Sequence, residues 1–369
     1  MPYAWILASL FALITVAYAL WFFVPVIKFR FLDRMGNQPV SVVVSAHNEA
    51  ENLKKLIPAL FDQQHPDFQV VIINDRSTDH TAEVLWDFRQ TYGDRLRVVD
   101  VPPQEWKSFR GNKKFALTLG IKAARHDRLL LTDADCMPAT ARWISRMTAP
   151  LVNENTQFVL GYGRYRKRAG LLNSIIRYET LQTLSQYAGH ALRGMPYMGV
   201  GRNLAYRKSF FLENNGFDRH FHLLSGDDDL LVNRLATKAN TAVCLHPEAH
   251  TQSEPKARFG EWIRQKRRHL SASAHYRLRD KILLGIFSGS LAGFWFFWLW
   301  WAAMAWNTPW PWGVFALRAG IYYGLLWKTG RKLGDAVALF LMPLVEVLWV
   351  LSQGFIVLRN MIYKPQTWH

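Results

Sequence analysis

The chain has little sulfur with which to cross-link or chelate. Two cysteines, Cys136 and Cys244, in 369 residues exclude a disulfide framework and a cysteine-based zinc pattern, and they fit a reducing compartment. Acidic residues are also scarce. The 28 Asp and Glu against 45 Lys and Arg leave a net charge of +17, which calls for nucleic acid, an anionic membrane surface or phosphorylated substrates. Charged residues make up only 20% of the chain, below the usual globular share. No G-x-G-x-x-G follows the first strand-like run, which disfavours dinucleotide binding, and no Walker lysine loop occurs.

What the chain does have is long apolar runs and 16 tryptophans. Tyr3 to Ile27 carries no charge and is long enough to cross a hydrocarbon core of about 30 Å. It is too long for a signal peptide, lacks a small-residue cleavage site, and is followed rather than preceded by Lys28, Arg30 and Arg34. That basic flank places its C-terminal end in the cytoplasm. A second block, Ile282 to Leu317, is broken at Asn307-Thr308-Pro309-Trp310-Pro311, which predicts helices near 282–304 and 312–327. A last helix is expected near 336–358. Four crossings put both termini outside, and a re-entrant 312–327 segment would move the C-terminus inside. Arg318 and Glu346 are charges at membrane depth and are expected to pair. The domains are therefore residues 1–35, an N-terminal transmembrane helix with its basic flank; 36–280, a cytoplasmic domain; and 281–369, a C-terminal membrane region with about three helices.

Residues 36–280 alternate strand and helix patterns, which reads as α/β. Strands are expected at Pro39–Ser45, Phe68–Ile73, Leu96–Val101 and Leu129–Thr132, with helices from about Ala50, Thr81 and Gly111. Ser77, Thr78 or Asp79 can cap the second of these helices. Three of the strands end in polar clusters, the edge of an open α/β sheet where ligands bind. One of these ends is Asp133-Ala134-Asp135. If the backbone stays extended, both carboxylates share a face. They then repel unless a cation intervenes, and oxygen ligands of this kind suit Mg²⁺ or Mn²⁺ held with a phosphorylated ligand. An acidic turn is the plainer alternative.

Seven segments, taken in order, resemble the family 2 glycosyltransferases of GT-A fold. SVVVSAHNEAENL is similar to the family's opening strand and VIINDRSTDHT to its nucleotide-base strand. GNKKFALTLG resembles its lysine segment and TDADC its D-x-D. GVGRNLAYRKSFF with NNGFD resembles the acceptor-side stretch, GDDDLL the segment with the catalytic base, and QKRRH its Q-x-x-R-W motif. The resemblance covers about residues 38–270 and extends to membrane enzymes such as cellulose and hyaluronan synthases and ceramide glucosyltransferase. It implies a GT-A catalytic domain, a Rossmann-like mixed sheet, flanked by transmembrane helices.

By that resemblance, Asp75 contacts the nucleotide base and Glu49 the nucleoside. Lys113 faces the phosphates, and Asp133 faces the ribose and metal-bound water. Asp135 binds a divalent Mn²⁺ or Mg²⁺, and Gln265 and Arg268 lie near the diphosphate. Asp228 is the expected general base, Asp227 is the other candidate, and Asp229 is left to cap or solvate the following helix. Two departures stand out: Asn74 where Asp is common, and His269 where the family has Trp, which makes processive synthesis doubtful. His250 is either a further metal ligand or a structural histidine. Leu171 to Met198 has helical spacing behind a basic flank and is either a helix lying on the membrane surface or a core helix. The basic stretch Lys256–Lys281 suits anionic headgroups.

The expected protein is a multi-pass membrane enzyme with a cytoplasmic catalytic domain, of the hexosyltransferase type. It moves a sugar with inversion from a nucleotide-diphosphate sugar, UDP-sugar favoured, to a lipid or glycan acceptor, in cell-envelope polysaccharide or glycolipid synthesis. Its partners are donor, acceptor and membrane lipid, not nucleic acid. A processive polysaccharide synthase is the alternative. A non-catalytic basic membrane protein that binds nucleic acid or anionic lipid explains the charge but not the ordered acidic motifs.

Overall fold

A computed structural model of the chain describes residues 3–102, 113–223 and 225–363. The chain opens with α1 (Tyr3–Lys28), β1 (Val40–Ala46), α2 (Ala50–Phe61), β2 (Phe68–Asn74), α3 (Thr81–Tyr92), β3 (Leu96–Asp100) and α4 (Lys113–Ala123). Then come β4 (Arg128–Asp133), β5 (Cys136–Pro138), α5 (Trp143–Thr148), β6 (Phe158–Leu160), β7 (Gly163–Tyr165) and α6 (Leu171–Leu192). Next are β8 (Leu204–Arg207), α7 (Lys208–Glu213), α8 (Asp229–Leu235), β9 (Thr241–Val243) and β10 (Thr251–Ser253). The helices α9 (Phe259–Ser273), α10 (Leu278–Met304), α11 (Trp310–Leu333) and α12 (Met342–Ile362) follow. Two compact units emerge. One holds residues 31–166 and 194–255, and the other holds residues 3–30, 167–193 and 256–363.

The first unit is built on a mixed sheet of order β3-β2-β1-β4-β8-β6-β9, with a second, three-stranded sheet β5-β10-β7. β1, β2, β3 and β4 pair in parallel, and β8 runs antiparallel to β4 and β6. β1 and β2 are continuous apolar runs because helices cover both faces. Val42, Val44, Val70, Ile72 and Leu130 meet Leu53, Leu56 and Leu60 of α2 in one core. The four parallel strands lie close to their expected positions. β4 departs from expectation at its end: it stops at Asp133 and a turn carries Ala134 and Asp135, so the backbone does not stay extended through the D-x-D.

The second unit packs α1 with α10, α11 and α6. Among the described residues, three helical segments are long and apolar enough to cross a membrane: Tyr3–Lys28, Leu278–Met304 and Leu339–Ile362. The expected fourth, 312–327, is helical within α11 but falls outside this set, because Arg318 interrupts it and Lys328, Arg331 and Lys332 follow. The last helix starts at Met342 rather than near 336, with Pro343 in its first turn, where a missing N–H costs nothing. α6 is the core alternative of the two readings for its segment. Almost every residue from Asn173 to His190 is buried, and a Cβ at Gly189 would collide with the Phe22 carbonyl of α1.

Several buried charges in this unit are paired, which offsets their desolvation. Arg177 of α6 meets Asp335 at 2.7 Å, and Lys266 of α9 meets Glu179 at 2.8 Å. The expected pair of Arg318 with Glu346 is present. Both side chains are fully buried, with contacts at 3.2 and 2.5 Å. The Tyr323 hydroxyl donates to the same carboxylate, and the guanidinium lies 4.2 Å over the Phe294 ring. Removing one partner of such a pair costs about 3–5 kcal/mol. The variant Arg318→Ala is therefore expected to lower the thermal midpoint of the detergent-solubilised protein sharply, and Arg318→Glu more so. The exchange Arg318→Glu/Glu346→Arg should recover most of that loss, and a double variant as unstable as Arg318→Glu alone would contradict the pairing.

Candidate active site

The ends of β1 and β2 are knitted together by short polar side chains. Asn48 and Arg76 adopt left-handed backbone (φ 58° and 55°), which turns each chain sharply away from its strand. The Asn48 amide oxygen accepts from the Thr78 N–H at 2.8 Å, and the Ser77 hydroxyl accepts from the Asn48 N–H at 3.0 Å. Asp79 accepts from the Ala50 N–H at 3.2 Å and the Thr81 N–H at 3.0 Å, capping α2 and α3 together. Of the expected capping residues, Asp79 is therefore the one that serves α3. Asp75 is buried beside this junction. One of its carboxylate oxygens accepts from Arg76 Nε and Nη2 at 2.9 and 2.7 Å, and it does not cap a helix. Glu49 accepts from the Asn52 side chain at 2.5 Å.

At the end of β4, Asp133, Asp135 and Cys136 offer ligand atoms within 4.8 Å of one another. Asp135 is exposed and Asp133 half-buried. The Cys136 thiol is buried, lies 2.8 Å from the Ser253 hydroxyl and 3.2 Å from an Asp135 oxygen, and is pushed well above its ordinary pKa by burial and by Asp135. A hard divalent ion prefers oxygen to a thiol, so the donors suited to it are the two carboxylates. Hard oxygen ligands with an open, solvent-facing side fit Mg²⁺ or Mn²⁺ shared with phosphates. His250 lies outside this group. It is buried, its Nε2 is 3.2 Å from the Leu245 carbonyl, and burial pulls its pKa down to about 3, which is a structural role.

Lys113 ties this end of the sheet to the acid cluster. Its ammonium lies 2.7 Å from Asp133 and 3.2 Å from Asp227. Burial works against its charge, but Asp133 and Asp227 outweigh burial and raise its pKa. The next residue, Lys114, went unremarked in the sequence reading. Its ammonium donates to the Leu223 and Ser225 carbonyls at 2.7 and 2.6 Å, which fixes the loop leading into Asp227.

Asp228 caps α8. One carboxylate oxygen accepts from the Asp229 N–H at 2.7 Å and the other from the Gly201 N–H at 2.6 Å. Burial, then the charges of Asp227 and Asp229, push its pKa up to about 8. Asp227 moves the other way: burial alone would raise it, but Lys113 and Lys114 hold it below the ordinary carboxylate value. Asp229 turns its carboxylate to the Leu230 N–H at 2.7 Å. Asn203 closes the Gly201-Arg202-Asn203 run of the stretch that resembles the acceptor side. Fully buried, it donates to the Tyr162 and Ala249 carbonyls at 2.9 and 2.8 Å and accepts from the Trp143 indole at 3.0 Å. It thereby anchors the stretch that presents Gly201. Glu49, Asp75, Lys113, Asp133, Asp135, Asp227 and Asp228 all belong to the first unit, whereas Gln265 and Arg268 lie on α9 of the second.

Residues 41–212 match Glycosyl transferase family 2. The Bacillus subtilis protein described as probable glycosyltransferase YdaM is 24% identical over 244 residues, 65% of this chain and 56% of that one. The poly-beta-1,6-N-acetyl-D-glucosamine synthase of Staphylococcus epidermidis is 26% identical over 136 residues, 37% of this chain and 31% of that one. The alignments thus span about half or less of these relatives. Among solved structures, the mannosyltransferase PcManGT of Pyrobaculum calidifontis, in complex with GDP-Man and Mn²⁺, superposes over 97% of this chain and 100% of its own, with TM-score 0.62 and 16% identity. The shared fold is the mixed-sheet GT-A fold.

The opposite displacements of Asp227 and Asp228 set a pH signature. With Asp228 as the base that the resemblance implies, kcat/KM is expected to rise with pH and level off above about 8, where Asp228 is deprotonated. The variant Asp229→Asn removes one of the charges that raise it and should move that rise to lower pH. Asp228→Asn should lose about 10²–10⁴-fold in kcat/KM. A profile unmoved in Asp229→Asn would break the link to Asp228.

Proposed function

We propose, from the premise that residues 41–212 are a glycosyl transferase family 2 domain, that the protein is a metal-dependent inverting glycosyltransferase. It moves a sugar from a nucleotide-diphosphate donor to a hydroxyl of a lipid or glycan acceptor. One observation carries the reading. The Lys113 ammonium joins Asp133 to Asp227, so a cation and two acid motifs, remote in sequence, meet where a diphosphate leaves and a base must act.

In this reading Asp228, held by the Gly201 and Asp229 amides, takes the proton of the acceptor hydroxyl. The freed oxygen bonds to the anomeric carbon from the face opposite the donor diphosphate, and the bond from that carbon to the diphosphate oxygen breaks. Asp133 and Asp135 would hold the divalent ion, which would supply Lewis-acid stabilisation to the departing diphosphate. Lys113 presents a fixed positive charge on the same side, already desolvated and oriented. Asp75 and Glu49 face the nucleoside, and Gln265 and Arg268 are assigned to the donor on the resemblance alone. The apolar helices Tyr3–Lys28, Leu278–Met304 and Leu339–Ile362 support action at a membrane, with the basic flank after α1 supporting a cytoplasmic active site.

A processive synthase is the second reading, favoured by the staphylococcal poly-beta-1,6-N-acetyl-D-glucosamine synthase among the relatives. His269 in place of the family's Trp counts against it. Both readings are tested with purified membranes offered nucleotide sugars, UDP-sugars first and GDP-mannose beside them, while nucleoside diphosphate release is followed. Release is expected with Mn²⁺ or Mg²⁺ and should stop in EDTA or in Asp135→Asn. Turnover that persists in EDTA would overturn metal dependence, and a ladder of long products would favour the synthase.

A further inference from the structure

Arg202 stands beside the carboxylate pair. It follows Gly201, which holds Asp228, and precedes the buried anchor Asn203. Its backbone carbonyl accepts from two threonine hydroxyls, Thr132 at 3.0 Å and Thr251 at 2.9 Å. Thr132 is the residue immediately before Asp133, so the backbone of Arg202 is clamped against the end of β4. The side chain is steered as well. Its stem passes over Gly163, where an added Cβ would lie 2.7 Å from the Arg202 Cγ and Nε, and its guanidinium carbon sits 4.4 Å over the Tyr165 ring. Tyr165 is opposite Ser253 in the β7–β10 pair, and Ser253 meets Cys136 next to Asp135. Among the described residues, no carboxylate lies within 4.0 Å of this guanidinium.

A guanidinium keeps its charge when drawn out of water, so this half-buried one is stabilised by an anion or a π face. It has the π face and a side-chain hydrogen bond with Tyr165, but no protein anion among the described residues. Burial disfavours its charge, while Tyr165, Cys136 and Asp133 favour it. Arginine's fork matches two phosphoryl oxygens at once, and stacking on an aromatic ring holds the plane in a fixed orientation.

We propose that Arg202 is a donor-binding residue whose guanidinium receives phosphoryl oxygens of the nucleotide's diphosphate beside Asp133 and Asp135, with Gly163 and Tyr165 as the residues that aim it. This rests on the glycosyltransferase reading and adds a second fixed cation to Lys113. The contact is to the terminal phosphoryl group of a nucleoside diphosphate, which a nucleoside monophosphate lacks.

The test uses the full chain in detergent with Mn²⁺, titrated calorimetrically with UDP, GDP, UMP and GMP. The wild type should bind one of the diphosphates more tightly than its monophosphate. Arg202→Gln should weaken that diphosphate roughly 10- to 100-fold, the scale of a charge-assisted contact, and leave the monophosphate within about threefold. Arg202→Lys should regain part of the loss, and Gly163→Ala, which keeps the charge but displaces the stem, should shift affinity in the same direction as Arg202→Gln. Thermal midpoints identify variants that fail to fold, and the milder Gly163→Ala then carries the test. Unchanged diphosphate affinity, an equal fall for diphosphate and monophosphate, or an effect confined to the acceptor KM would each overturn the assignment. A wild type that binds none of the four nucleotides would sink the glycosyltransferase reading itself, which is a different failure.

Discussion

One buried ammonium holds the catalytic end of this domain together. Lys113 lies between Asp133 and Asp227, and each of the three would be costly to bury alone. Together they neutralise one another, with Lys113 and Asp227 largely withdrawn from water and Asp133 still open to it. The arrangement depends on helical geometry. Successive residues on α4 point about 100° apart, so Lys113 faces the carboxylates while Lys114 turns to the Leu223 and Ser225 carbonyls. One lysine supplies charge to the site, and its neighbour fixes the loop that delivers the acids.

From that ion cluster follows the division of labour among three consecutive aspartates. Asp227 spends its charge on Lys113 and is held ionised. Asp229 caps backbone at Leu230. Asp228 is left with two amide donors, no ammonium within ion-pair distance among the described residues, and like charges on both sides; burial and those charges push it up to about 8. The environments of the two acids drive them apart, which is the pattern the proposed assignment of Asp228 as base calls for.

The apolar unit follows the same rule with different partners. α6 carries Arg177 and Glu179 into a buried setting because Asp335 and Lys266 meet them there, and α11 carries Arg318 because Glu346 meets it. Periodicity left α6 open between a surface helix and a core helix, and burial decides for the core: Arg177 and Glu179 point inward, into ion pairs whose other halves lie far along the chain.

By itself, the sequence determined the parallel strands, the apolar helices and the order of the acidic motifs. These are local properties: continuous valine and isoleucine runs, uncharged stretches of membrane length, and residue types at strand ends. It also pointed to the Arg318–Glu346 pair, since two charges in apolar helices have few other partners. The tertiary structure decided what depends on contacts between remote segments. It turned the D-x-D out of its strand, so that Asp135 faces solvent and Asp133 faces Lys113. It chose Asp79 as the cap shared by α2 and α3. It separated Asp228 from Asp227 through Gly201 and Lys113. It also set Arg202 over Tyr165 in the space left by Gly163. None of these could be read along the chain, because burial and charge proximity arise only when strands far apart in sequence share one edge.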